Sequence, residues 1–205
     1  VCHGVPDSAR YLSRGDIVNV DLTVITRDGW HGDTSMMWHV GHPPLDSGTE
    51  VADVDGHSDP ARRLALVARE CLFLGIRQVA PGARLGRIGE AISAHARRHG
   101  FSVVTLFQGH GIGKAFHEAP FVQHSDRAPT WSNKARSIVL QEGMTFTIEP
   151  MLNAGQPEIS FLRDGWTAVT ADGSASAQWE HTVAVTRTGY EILTLRDGER
   201  PPALG

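Results

Sequence analysis

The 205-residue sequence predicts an α+β fold in which an antiparallel sheet is covered by helices. A strand–turn–strand pattern opens the chain, two stretches of helical period follow, and the last third is a run of short strands divided by turns. Residues 17–26 (IVNVDLTVIT) alternate as a half-buried strand does, with Val18, Val20, Leu22 and Val24 on one face and Asn19, Asp21 and Thr23 on the other. Asp28-Gly29 marks a hairpin turn before a second strand over 30–40. Residues 43–60, rich in Pro, Gly, Asp and Ser, read as a surface loop or flexible insertion. Over 60–79, Leu64, Val67, Ala68, Cys71, Leu72, Leu74 and Val79 recur at helical spacing, ended by Pro81-Gly82. A second helix fits 84–99, with Leu85, Ile88, Ala91, Ile92 and His95 on one stripe and Gly100 past its end. A strand-like piece, 101–107, leads into Gly109-His110-Gly111-Ile112-Gly113. Further strands fit 144–152, 158–162, 166–170, 177–186 and 190–195, with Asp164-Gly165 and Asp172-Gly173 as turns. The length suits a single domain over 1–205.

Composition narrows the function classes. Apolar residues make up 40% of the chain, enough for a packed core that does not depend on disulfides. Nineteen basic residues against 23 acidic ones give a net charge of −4, and no basic face or arm points to nucleic acid. Cys2 and Cys71 are too few for a disulfide framework and show no metal-type pairing. No apolar run approaches the ~18 residues of a membrane span, and no basic-then-apolar leader is visible. A soluble domain of a reducing compartment, the cytoplasm, is the expectation.

The chemistry lies in carboxylates carried by strands. Asp21 sits between Val20 and Leu22. Asp33 lies on the hairpin partner, in His31-Gly32-Asp33-Thr34-Ser35. Glu149 (TFTIEPM) shares its side with Thr145 and Thr147, and Glu180 (AQWEHTV) shares its side with Gln178 and Thr182. Each is embedded in apolar sequence, where an unpaired ionised carboxylate is costly. Four of them in four β segments point to a shared cation site. His110 adds a nitrogen ligand, and the glycines beside it let backbone approach closely. Such an oxygen-rich set favours Mn, Fe, Co or Mg-like ions over structural zinc. Five ligands suit two bridged ions, which together can deprotonate a shared water and clamp a tetrahedral intermediate.

The stretches VCHGVP, NVDLTV, GWHGDTSMM, GHGIGKAFHEAP, MTFTIEPMLNAG, DGWTAVT and SAQWEHTVAVT follow one another over nearly the whole chain. In that order they resemble the methionine aminopeptidases of the first, bacterial-like type, within the M24 metallopeptidases. The resemblance implies the pita-bread fold, two pseudo-symmetric halves around a dinuclear metal site. It implies Asp21, Asp33, His110, Glu149 and Glu180 as metal ligands, and removal of the N-terminal methionine from nascent chains, with a small second residue preferred. His3 and His117 match two substrate-contacting histidines, and Phe116 and Trp166 match residues lining the methionine pocket. Ser176 matches a residue that helps bind a monovalent cation in some members. Glu149 would act as proton shuttle, His117 would bond the scissile peptide, and His3 would steady the leaving side. The partners implied are nascent N-termini and, as a further expectation, the ribosome, with no nucleic-acid site and no membrane.

This sequence also departs from the family pattern. Family members carry further N-terminal sequence, so the chain is expected to be an N-terminally truncated fragment, with apolar surface uncovered on its first half. The 43–60 segment is longer than in compact bacterial enzymes, the interval from His117 to Glu149 is slightly long, and Ala119 stands where an acid is common.

Blander readings compete with these. His31-x-Asp33 resembles part of an iron-oxygenase facial triad, but that reading leaves Glu149 and Glu180 idle. The Gly109–Lys114 stretch fails the phosphate-loop pattern at Gln108 and Ala115. His39, His42, His57, His95 and His99 read as surface or packing residues. Met36, Met37 and Trp131 read as packing, and Arg62, Arg63, Arg97 and Arg98 as solvated helix faces. A prolidase or aminopeptidase P, which uses a similar five-ligand set, is the rival enzyme. A non-catalytic binding protein on the same fold is the rival from another class.

Overall fold

A computed structural model describes residues 1–46, 59–127 and 133–203. Its first feature is a long hairpin. Strands β1 (Ile17–Ile25) and β2 (His31–His39) pair antiparallel with Ile17 opposite His39 and Ile25 opposite His31. Asp28-Gly29 makes the expected turn: Thr26 Oγ1 donates to Asp28 Oδ1 at 2.7 Å, and Gly29 takes a φ of 87° that glycine alone adopts freely. Val20, Leu22 and Val24 do share a face, but that face is open, at 45%, 53% and 59% exposure. Alternation says which residues lie together, not which side is covered. Here the polar side turns inward: Asn19 Nδ2 donates to the Gln178 carbonyl at 2.8 Å.

The two helices form as expected, with tighter ends. Helix α1 (Pro60–Ile76) starts on Asp59, whose side chain accepts from the Ala61 N–H, with Pro60 in the first turn. It is buried nearly all round, because α2 (Gly86–Arg98) packs on one side and the sheets on the other. Even Arg69 is buried, 3.6 Å from Glu199 and lying over the Phe73 and Trp179 rings. Gly100, at φ 79°, ends α2. Arg62 and Arg63 are half-buried rather than solvated; Arg63 bonds the His99 carbonyl and lies over Phe101. Residues 47–58, most of the expected insertion and including His57, lie outside the described residues, as does Trp131.

The strand-like piece at 101–107 is a strand only over β3 (Ser102–Val103). After it come β4 (Gly109–Gly111), β5 (Glu118–Val122) and the short helix α3 (Asn133–Arg136). Two of the expected long strands are broken. The segment 144–152 divides into β6 (Thr145–Ile148) and β7 (Met151–Asn153) at Glu149-Pro150. After the hairpin of β8 (Ile159–Phe161) and β9 (Ala168–Thr170), the segment 177–186 divides into β10 (Ser176–Gln178) and β11 (Glu180–Val185) at Trp179. Strand β12 (Tyr190–Ile192) pairs with β11.

Topology explains the breaks. The larger sheet runs β1-β2-β11-β6-β4-β5, with β12 against β11, and a smaller one runs β10-β7-β3; every pairing is antiparallel. Strands β6 and β11 are partners in the larger sheet while β7 and β10 are partners in the smaller. The chain therefore crosses between sheets twice, side by side. Pro150 has no N–H for a ladder, and the fully buried Trp179 anchors its crossing by donating Nε1–H to the Ala65 carbonyl at 2.8 Å. Glu149 and Glu180 stand at these two crossings.

Candidate metal centre

Register carries the polar residues to one face. Asp21 on β1 lies opposite Ser35 on β2, and Glu180 on β11 lies opposite Ser35 from the other side. Directly opposed residues point the same way, and so do residues two apart on a strand. Asp21, Thr23, Asp33, Ser35, Glu180, Thr182 and Thr147, which faces Thr182, thus share a surface. Ser35 is small and leaves room between the two carboxylates.

Hydrogen bonds orient the candidate ligands. Thr23 Oγ1 donates to Asp33 Oδ1 at 2.9 Å, and Thr182 Oγ1 accepts from the Asp33 N–H at 3.1 Å while donating to its carbonyl at 2.8 Å. His110 Nδ1 lies 3.0 Å from the Gly111 carbonyl, which accepts its proton and so leaves the Nε2 lone pair free. Nε2 sits 3.7 Å from Asp33 Oδ2 and 3.8 Å from Glu149 Oε1. Asp33, His110 and Glu180 are all buried, and one ligand atom from each falls within 4.8 Å of the others. Glu180 Oε1 is buried with no hydrogen-bond partner. The glycines beside His110 are required by space: a Cβ on Gly109 would collide with the Thr147 carbonyl oxygen, and one on Gly111 with the Ala119 carbonyl.

Electrostatics suit the cluster to a cation. Burial and the charge of Asp33 push the Asp21 carboxyl up to about 6, although its open side meets solvent. Burial, with Asp33 and Asp21 adding to it, takes Glu149 to about 8 against the pull of His110 and the Thr147 hydroxyl. Burial and the Glu149, Asp33 and Asp21 charges raise Glu180 well above the ordinary carboxylate range. His110 loses hydration, but the nearby Asp33 carboxylate, the Gly111 carbonyl and the Glu149 charge outweigh that and raise it. Four crowded acids around an orphaned oxygen fit divalent cations, whose charge would offset their mutual repulsion.

Aromatic and imidazole rings border the cluster. His117 lies 4.2 Å from His110 and 4.1 Å from Phe116, centroid to centroid. Phe116 also stands edge-on to His110 and stacks on His31, whose backbone N–H donates to the Gly113 carbonyl. His3, the one non-glycine residue at positive φ among those described, stacks on Trp166 at 4.3 Å and meets Phe107 edge-on. Burial lowers the pKa of both His3 and His117, with His110 and His3 adding to the second. Ser176 stands apart from this group. It donates to the Leu152 carbonyl at 3.2 Å and lies opposite Asn153, whose buried Oδ1 has no partner.

Some supporting residues carried no signal of their own in the sequence. His124 is buried and held neutral, its pKa pushed down to about 3 by burial and His110, and its Nε2 accepts the Glu149 N–H at 3.1 Å. That bond satisfies an amide left over where the chain changes sheets. Phe107, edge-on to His3, likewise carried no signal of its own in the sequence.

Comparison with known proteins gives the family. Residues 1–187 match metallopeptidase family M24. The methionine aminopeptidase of Salmonella typhimurium is 50% identical over 204 residues, covering 100% of this chain and 69% of the relative; that of Escherichia coli K12 is 49% identical over the same span. The crystal structure of methionine aminopeptidase from Rickettsia prowazekii superposes with a TM-score of 0.79 at 44% identity, covering 95% of this chain and 70% of that one. A prolidase from Pyrococcus furiosus, at 22% identity and a TM-score of 0.63, shares the fold. The chain belongs to metallopeptidase family M24 and, within it, to the methionine aminopeptidases.

Proposed function

We propose that the chain is a metal-dependent aminopeptidase that removes the N-terminal methionine of nascent polypeptides, preferring a small second residue. The observation that carries this is the convergence of Asp21, Asp33, His110, Glu149 and Glu180 on one face, bordered by His3, His117, Phe116 and Trp166. The five ligands would hold two divalent ions such as Mn, Fe or Co. Bound there, the ions would ionise the crowded carboxylates, activate water and attract the substrate's free amine.

The remaining work falls to this chain's own groups. Glu149 would take the proton of the attacking water and pass it to the leaving amine; its two oxygens already receive hydrogen bonds from Thr147 and Gln178, at 2.9 and 3.4 Å, which hold it for that task. His117, neutral and beside His110, would hydrogen-bond the scissile peptide, and His3, braced on Trp166, would steady the leaving side. The exposed Phe116 and Trp166 rings would receive the methionine side chain, whose polarisable sulfur suits aromatic edges. Ser176, with the unpartnered Asn153 Oδ1 across from it, would serve a monovalent cation. Work on emerging chains would place the enzyme in the cytoplasm, near the ribosome.

The test is a peptide panel with and without chelator. Met-Ala and Met-Gly peptides should be cleaved and Met-Phe and Met-Lys spared, with activity lost to chelator and restored by divalent ions. Cleavage of Xaa-Pro in preference to Met-Ala would favour a prolidase-like enzyme. No hydrolysis at any metal loading would favour a binding protein.

A further inference from the structure

Helices α1 and α2 bring together a second group of donors that has no part in the site above. His95 and His99 are four residues apart at the C-terminal end of α2, so their rings share one face of the helix, 4.5 Å apart and tilted by 47°. Glu70 comes from α1, and its Oε2 lies 2.7 Å from His95 Nε2. One ligand atom from each of the three falls within 4.8 Å of the others. We propose that Glu70, His95 and His99 form a separate inter-helix site for a divalent transition-metal ion such as Zn2+.

Donor chemistry and geometry support this together. Two imidazoles and a carboxylate are zinc donors, and three of them leave a fourth tetrahedral position for water. Metal–ligand bonds near 2.0–2.2 Å set ligand atoms about 3.3 Å apart, so Glu70 and His95 need separate by only a few tenths of an ångström. The side chains of His95 and Glu70 are 12% and 15% exposed, sheltered but reachable from solvent. The His99 ring has no hydrogen-bond partner among the described residues, and burial beside His95 keeps it neutral, the form that ligates. Arg63 and Arg98 near His99 oppose a cation, but Arg63 is tied to the His99 carbonyl and the Phe101 ring.

A contrast within the chain shows what the tilt contributes. His39, His42 and Asp59 also cluster, but the His39 and His42 rings are parallel to within 4° at 3.9 Å, so no single nearby point lies in the plane of both rings. The tilted pair on α2 can aim at one point.

The site is testable without reference to peptide cleavage. The 205-residue chain equilibrated with Zn2+ and desalted should retain one more ion than a His95→Ala/His99→Ala variant. Added Zn2+ should raise the melting temperature of the wild type more than that of the variant, and Met-Ala turnover should be equal in the two. His99→Gln, which keeps a polar side chain, should lose the same ion if the double variant folds poorly. Anomalous scattering at the zinc edge should give a peak between Glu70, His95 and His99. Equal zinc content and equal melting shifts, no peak between the three residues, or loss of turnover together with the ion would each overturn the proposal.

Discussion

The Thr147 hydroxyl donates a 2.9 Å hydrogen bond to Glu149 Oε1 while accepting one of 3.0 Å from the backbone N–H of His110. One buried hydroxyl on β6 thus ties the Glu149 side chain at the crossing to the backbone of His110 on β4. Thr147→Val keeps the shape and removes both bonds, leaving a buried N–H unpaired at a cost of about 1–3 kcal/mol. The expected outcome is a melting temperature lower by roughly 2–4 °C per kcal/mol and a reduced kcat, with Thr147→Ser recovering most of both. Thermal melts and steady-state kinetics of the two variants check it.

Removing a ligand should remove metal and activity together. Glu180→Ala, Asp21→Ala or His110→Ala each deletes one donor from the shared face, and the remaining donors can no longer satisfy two ions. Elemental analysis of desalted variants should show fewer ions per chain than the wild type. Unchanged stoichiometry in any of them would strike that residue from the ligand set.

His117→Ala should behave in the opposite way. The ring lies against His110 yet is expected to touch substrate rather than metal, so both ions should stay while kcat falls by about 10²–10⁴. Metal content measured beside kcat separates the two roles.

Stability without metal should fall as pH rises. The folded-state values of Asp21, about 6, and Glu149, about 8, lie above the ordinary 3.8 and 4.5, and Glu180 shifts the same way. The folded chain therefore holds protons that the unfolded chain has released. Their stabilising effect is complete below about pH 4 and is lost as pH climbs through 6 towards 8. Divalent ions bound among these acids would take over the protons' role. Melting curves of chelated and metal-loaded protein should accordingly draw apart between about pH 5 and about pH 8. Parallel curves would mean the acids are not paired with the metal.

Much of the site was legible in the sequence because its signals are local. A carboxylate amid alternating apolar residues, or a histidine between glycines, announces itself within a few positions, and Thr147, Gln178 and Thr182 are already on the right side by period-two counting. The crossings at Glu149-Pro150 and Trp179 were not legible, since a run of β-forming residues looks the same whether its partner changes or not. The open apolar face of β1 was hidden for a similar reason: hydropathy does not say what lies opposite. Arg69 carried no signal of burial in the sequence, because what covers it includes Glu199 and Arg200 near the other end of the chain.

The glycines on either side of His110 also bear on redesign. Strand β4 runs through a slot that its neighbours leave only as wide as bare backbone, with the Thr147 carbonyl closing in on Gly109 and the Ala119 carbonyl on Gly111. Even a methyl group at either position would have to pry the sheet apart. His110, the nitrogen donor proposed for the site, is therefore positioned by main chain on both flanks, and no library of side chains at 109 or 111 could nudge it towards a different ion. Efforts to retune metal preference have latitude at Asp21 on the open rim and almost none along β4.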